Sequence, residues 1–204
     1  MVVASFRMAK PPSAYNPAPM HGFLQSPPPG FVVWLTGLSG AGKTTLAGLI
    51  SAELERRGRL VEALDGDIVR THLSRGLGFS KEDRDTNIER IGWVASRLAR
   101  AGVAVVVSAI SPYEEARERA RGLTQACGRP FLCVWVRASV ETCAARDDKG
   151  LYARALAGEL ADFTGVTAPY EEPESPDLVL DSDNGSPEAN AAVVLRELER
   201  RELI

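Results

Sequence analysis

Eight residues constrain this chain more than any others: Gly37-Leu38-Ser39-Gly40-Ala41-Gly42-Lys43-Thr44, which fit G-x-x-x-x-G-K-[ST] in full. They stand between an apolar run, Phe31–Thr36, and a stretch where Leu46, Leu49, Ile50 and Leu54 recur at helical spacing. The glycines let the backbone curl until successive N–H groups point at one place, and the helix beginning near Lys43 adds the positive end of its dipole. The object that fits is a polyphosphate. Lys43 can reach its β- and γ-groups, the Thr44 hydroxyl can bind Mg²⁺, and Thr45 completes the cradle. A purely structural glycine turn is the alternative, and the strand-to-helix context favours the cradle.

The rest of the chain alternates in the same way. Leu60–Leu64 reads as a second strand closing at Asp65-Gly66-Asp67, and Ser80 with Asp83 resembles a capping box opening a helix whose apolar face is Ile88, Ile91, Val94 and Leu98. Val103–Ser108, Phe131–Val136 and Leu178–Leu180 follow as strands. Ser111-Pro112 reads as serine cap and first-turn proline of a further helix, and Glu188–Arg201 as a closing one. Strand–helix alternation predicts an α/β fold: a three-layer parallel sheet with helices on both faces, the P-loop nucleoside-triphosphatase architecture. Ligands then bind beyond the carboxyl ends of the strands, at 37–45, 65–70, 108–113 and 146–150. The polar stretch 147–176 reads as a mobile lid.

Composition narrows the function. A net charge of −3 gives no broad basic field, which argues against nucleic-acid binding. No apolar run approaches the roughly 18 residues of a membrane span. Cys127, Cys133 and Cys143 show no C-x-x-C spacing, so a reduced, cytoplasmic setting is expected. Residues 1–30 hold seven prolines and no acidic residue, predicting a disordered tail ahead of a domain over 31–204; a transit peptide is the rival reading. The guanine-reading N-K-x-D pattern is missing and the chain is short for a motor, which leaves a small-molecule kinase.

Asp67, with Arg70 one helical turn on, can organise Mg²⁺ or accept the proton of an attacking hydroxyl, although an aspartate there also caps helices. Arg84 and Asn87 share a helix face and can grip an anion and read a polar edge; a solvated charged face is the alternative.

At this point the wording of the chain matters. Leu64-Asp65-Gly66-Asp67, Gly76-Leu77-Gly78-Phe79-Ser80-Lys81-Glu82-Asp83-Arg84, Ile110-Ser111-Pro112-Tyr113, Lys149-Gly150-Leu151-Tyr152, Phe163-Thr164-Gly165 and Pro169-Tyr170-Glu171 occur in this order. Together they resemble the adenylyl-sulfate kinase family, and Asp83-Arg84-Asp85-Thr86-Asn87-Ile88 is most similar to bacterial versions fused to a sulfate adenylyltransferase. The resemblance implies transfer of the γ-phosphoryl of ATP, with Mg²⁺, to the 3′-hydroxyl of adenylyl sulfate. It implies that Phe79 and Phe163 sandwich the acceptor adenine, that Arg70, Arg84 and Asn87 hold its anionic portion and base, and that Ile110 and Leu151 line the same site. Lys149 would close over the anions, Arg146 would lie against the donor adenine, and Asp67 would be the base or metal organiser.

Three points stay open. Phe163 is either a stacking residue or a lid residue packed on the domain. Ser111 is either a helix cap touching substrate or, as the family is often described, a phosphoserine. The head is a candidate vestigial linker. A homodimer and association with a sulfate adenylyltransferase are the implied assemblies. Departures from the family wording are Ile68, Ala116 and Asp148, the last replacing a lid proline that would fix φ. Rival readings are a P-loop kinase of another hydroxylated anion and a non-catalytic nucleotide-binding module.

Overall fold

The computed structural model describes residues 28–204. The proline-rich head assigned to 1–30 therefore lies outside the described residues up to 27. Gly30 is buried, and a Cβ there would sit 2.2 Å from the Ala99 carbonyl oxygen.

Five parallel strands, β1 (Phe31–Thr36), β2 (Val61–Asp65), β3 (Ala104–Ser108), β4 (Phe131–Arg137) and β5 (Leu178–Asp181), lie in the order β2-β3-β1-β4-β5. β1 is wholly buried and splits by parity. Phe31, Val33 and Leu35 pack with Leu46, Ile50 and Leu54 of α1 (Lys43–Arg56) and Val194 and Leu198 of α7 (Pro187–Arg200). Val32 and Trp34 pack with Ile88, Ile91 and Ala95 of α3 (Lys81–Arg100) and Ala116 and Ala120 of α4 (Glu114–Gln125). A strand covered on both faces needs apolar residues at every position, which is why the expected run was continuous rather than alternating. Among the described residues no helix is long and apolar enough to cross a membrane.

The register Leu35↔Ser108 and Asp65↔Ser108 brings three strand ends level, so residues 37–43, 65–67 and 109–113 open on one edge. α2 (Gly66–His72) starts directly from β2. Two short helices, α5 (Val140–Ala145) and α6 (Leu151–Leu156), follow β4.

Four expectations need correction. The face of α3 turned inward is built on Ile88, Ile91, Ala95 and Ala99, with Val94 and Leu98 at its flank. Small residues win there because α4 approaches closely: a Cβ at Gly92 would lie 2.8 Å from Ala120 Cβ and 3.0 Å from its Cα. The box at α3 is half formed. Ser80 Oγ accepts from the Asp83 amide at 3.1 Å, but Asp83 Oδ2 accepts from the Gly78 amide at 2.9 Å instead of reaching back. Ser111 caps nothing; α4 begins at Glu114 with Tyr113 at the cap position. Finally, 147–176 is not uniformly irregular, since α6 lies within it with Tyr152 and Ala155 buried.

Candidate active site

The cradle follows from backbone conformation. Gly37, Gly40 and Gly42 have φ of 148°, 77° and 92°, and a Cβ on Gly37 would fall 2.4 Å from the Val136 carbonyl oxygen. Gly42, left-handed, precedes α1, whose first turn has no side-chain cap. Its first N–H groups therefore have no side-chain acceptor, an arrangement suited to an anion. Lys43 is buried, and its ammonium donates to the carbonyls of Gly37 (2.9 Å) and Leu38 (2.7 Å). Burial lowers its pKa to about 8, opposed in part by the nearby carboxylates of Asp65 and Asp67.

Facing the cradle, Asp65 does more than the sequence suggested. Its Oδ1 accepts the Asp67 amide at 2.9 Å as the cap of α2. Its Oδ2 accepts the hydroxyls of Thr44 (2.8 Å) and Ser108 (2.9 Å). Burial would raise its pKa, but these hydroxyls and the amides of Asp67 and Ile68 outweigh it and hold the carboxyl below its ordinary range. Asp67 projects into solvent, with Lys149 Nζ at 3.5 Å from its Oδ2. Thr44, Asp65 and Asp67 offer only oxygen, a donor set suited to Mg²⁺. A cleft of about 400 Å³ joins the cradle to Asp65, Asp67, Ile110, Arg146, Lys149 and Leu151. Arg146 donates to Ser182 Oγ (3.0 Å) and Ser182 O (2.7 Å), beside a second hollow of about 230 Å³ bounded by Ala41, Thr45, Leu46 and Pro187.

The acceptor-side residues assemble around one aromatic ring. Phe79 is 59% exposed, with the guanidinium of Arg70 4.6 Å and that of Arg84 5.7 Å from its ring centre. Arg70 Nη1 also donates to Gly78 O at 2.9 Å. Arg84 is not on a solvated face. It is buried, donating from Nε to Phe79 O (2.8 Å), from Nη1 to Thr164 Oγ1 (2.5 Å) and from Nη2 to Asp162 O. One guanidinium thus clamps the Phe79 loop to the segment carrying Phe163. Asn87, one turn further, is buried with its Oδ1 unpartnered, an acceptor turned to no protein donor. The ring of Phe163 meets Tyr152 edge-on, centres 4.9 Å apart, and is only partly buried against the domain core, which leaves part of it open.

Ser111 is 1% exposed with φ 40°, and Trp34 Nε1 donates to its Oγ at 3.1 Å. Its carbonyl accepts from Arg117 Nη1 at 2.6 Å; Arg117, itself 1% exposed and paired with Glu114, donates also to Glu171 O. Thr36 Oγ1 donates to Ile110 O at 2.7 Å and meets the Tyr170 hydroxyl at 3.0 Å. The loop 110–112 is therefore fixed from behind by β1, α4 and the end of the 147–176 segment.

Asp65, Ser108 and Arg117 were overlooked as participants. Asp65 and Ser108 had a signal, standing first in the strand-end segments 65–70 and 108–113, but were given no role; Arg117 had none short of tertiary structure.

A glycine-rich cradle holding a buried lysine, a carboxylate pair facing it in one cleft, and an exposed aromatic ring flanked by two guanidinium groups at the start of α3 define a P-loop small-molecule phosphotransferase. The profile of the family described as Adenylylsulphate kinase matches residues 29–181. An adenylyl-sulfate kinase of Myxococcus xanthus (strain DK1622) is 53% identical over 175 residues, 86% of this chain and 94% of that one. A probable bifunctional SAT/APS kinase of Sorangium cellulosum (strain So ce56) is 54% identical over 170 residues; they make up 83% of this chain but only 29% of that protein. Among solved structures, the Mycobacterium tuberculosis APS kinase CysC in complex with AMPPNP and APS superposes with a TM-score of 0.82 at 43% identity, over 85% of this chain and 99% of that one. The chain belongs to the adenylylsulphate kinase family.

Proposed function

We propose that this chain is an adenylyl-sulfate kinase, moving the γ-phosphoryl of ATP to the 3′-hydroxyl of adenylyl sulfate and releasing ADP. The observation that carries it is the meeting, in one cleft, of an intact cradle with Asp65, Asp67 and Lys149; a Phe79 ring flanked by two guanidinium groups supports the acceptor reading. In-line phosphoryl transfer needs little covalent help from the protein. The residues accordingly divide into those that hold the donor and those that present the acceptor.

On the donor side, the amides of Gly40 and of residues 42–45 take the phosphates while that of Ala41 is held by the Leu38 carbonyl at 3.2 Å, Lys43 leaves its two carbonyls for the β- and γ-oxygens, and Arg146 borders the base. Mg²⁺, held by Thr44 with Asp65 behind it, would neutralise charge on the leaving diphosphate. Across the cleft, Phe79 stacks the acceptor base, Arg70 and the remaining N–H groups of Arg84 face its anion, and Asn87 Oδ1 takes a donor from the base. Phe163 closes the other side of the base, with Ile110 and Leu151 lining the path. Asp67 is placed to take the proton of the 3′-hydroxyl, and Lys149 is the cation of a lid over 147–176. Ser111 contributes its fixed backbone; the burial of its hydroxyl, which accepts from Trp34, supports a contact role over that of a phosphoryl carrier. A non-catalytic module would have no use for both Lys43 and Asp67.

Cytoplasmic location, a homodimer and functional association with a sulfate adenylyltransferase complete the proposal; the mostly uncovered relative from Sorangium cellulosum is the reason to test the last. The test of the reaction is purified protein with Mg-ATP and adenylyl sulfate, product identified by mass, beside a panel of other nucleotides. Equal or better turnover of a nucleotide without sulfate overturns the acceptor assignment.

A further inference from the structure

Tyr152 belongs to none of the roles above, yet it touches both halves of the cleft. Its side chain is 2% exposed on α6, and its hydroxyl donates to the carbonyl of Ser39, inside the cradle, at 2.7 Å. Its ring is the partner of Phe163, edge-on at 83°. Its own amide donates to Asp147 Oδ2 at 2.6 Å, which fixes the start of a helix whose cap, Gly150, has no side chain to offer. Burial pushes the phenol above its ordinary range, so the hydroxyl remains a donor throughout the neutral region.

The bond to Ser39 has a directional consequence. The Ser39–Gly40 peptide is planar and trans, so the Gly40 N–H points opposite to the Ser39 carbonyl. Holding that carbonyl against Tyr152 holds the Gly40 amide away from it, towards the middle of the loop, with Gly40 at the left-handed φ of 77° that the curl requires. On the other side, the Phe163 backbone is bracketed by the two residues that Arg84 grips, Asp162 and Thr164. A single stiff ring therefore stands between an amide of the donor cradle and an aromatic of the acceptor pocket.

The geometry points to Tyr152 as a positioning residue that presets the Gly40 amide for the donor phosphates and couples occupancy of the cradle to the placement of Phe163. A ligand that shifts the ring through one of its two contacts shifts the other contact with it, and the resulting coupling free energy is equal in both directions. The inference rests on the adenylyl-sulfate reading only in its choice of acceptor.

Tyr152→Phe keeps the ring and deletes the hydroxyl, a change the fold tolerates because Ser39 O can turn to water. The experiment measures binding of Mg-AMPPNP and of adenylyl sulfate by calorimetry, each alone and with the other saturating, in the parent and the variant. The expected result is Mg-AMPPNP bound about fivefold more weakly by the variant, the size of one neutral hydrogen bond. Adenylyl sulfate alone should bind within about twofold of the parent; the parent should show mutual enhancement of the two ligands and the variant's should shrink towards one, and a parent with no enhancement overturns the coupling. Unchanged nucleotide affinity, or a parent-like enhancement in the variant, overturns the inference. So does a uniform weakening of both ligands with a lowered unfolding midpoint, since that marks a merely structural tyrosine. If the parent neither binds nor turns over adenylyl sulfate, the proposed function fails, and the Mg-AMPPNP arm alone decides the role of Tyr152.

Discussion

Lys43 supplies a prediction that can be worked through in numbers. The ammonium is enclosed, bonded only to the Gly37 and Leu38 carbonyls, and its pKa falls to about 8. A polyphosphate entering the cradle favours the charged form, so the bound state keeps the proton well above pH 8. The free protein must then acquire a proton to bind nucleotide at alkaline pH. At pH 9 only about one molecule in eleven carries it beforehand, against about ten in eleven at pH 7, so affinity for Mg-AMPPNP should fall about tenfold between the two. Bound Mg²⁺ keeps the nucleotide's terminal phosphate, its only group with a second ionisation near neutrality, in the ionised form across this range. Calorimetry at half-unit steps from pH 7 to 9 reads the effect, with Lys43→Met as the control that should bind weakly and show no such step. The folded-state stability of the ligand-free protein has its own sign. A lysine whose pKa is lowered on folding penalises the native state while charged, so stability should rise as pH passes from about 8 towards the unfolded value of 10.5. Nucleotide affinity that stays flat from pH 7 to 9 refutes the reasoning.

Other outcomes follow from the same geometry. Phe79→Ala should weaken acceptor binding by roughly 1–3 kcal/mol while leaving the unfolding midpoint almost unmoved, because the ring is mostly exposed; unchanged acceptor affinity removes the stacking role. Ser111→Ala should retain turnover but lose about 1–3 kcal/mol of stability in denaturant unfolding, since the buried Trp34 indole N–H loses its acceptor. Loss of all transfer with stability intact would restore the phosphoserine. Asp65→Asn keeps a carbonyl oxygen for the α2 cap but brings donors against the Thr44 and Ser108 hydroxyls, so turnover should drop on the order of a hundredfold, with a raised Mg²⁺ requirement in steady-state assays.

What could be read beforehand divides along the line between local and long-range forces. The cradle was legible whole, because its glycines, lysine and threonine act within eight consecutive residues. The sheet was legible too, since burial on both faces leaves uninterrupted apolar runs. Ser111 was misread because serine before proline is a local cap signal. The deciding partners, Trp34 and Arg117, come from a strand far back in the chain and a helix turn ahead. Arg84 invited the choice between ligand and solvent. It is not solvated: three of its donors go to Phe79, Asp162 and Thr164, two of them about eighty residues on, which no local pattern announces. The inward face of α3 was drawn through its largest apolar residues, whereas close helix packing selects alanine and glycine. α6 escaped notice because six residues beginning after a glycine carry neither periodicity nor a capping side chain.

The near-touching of α3 and α4 at Gly92 and Ala120 bears on how a turnover must be choreographed. Where two rods meet with no side chain between them, neither can rock without leaving a gap that nothing fills. One rod opens at the Phe79 loop and the other follows directly from Ser111-Pro112-Tyr113, so that side of the fold is rigid. On the proposed function, travel during the catalytic cycle is then expected within the 147–176 segment, ahead of the Asp162–Thr164 stretch that Arg84 clamps, and substitutions that stiffen it should slow product escape before they disturb the chemistry.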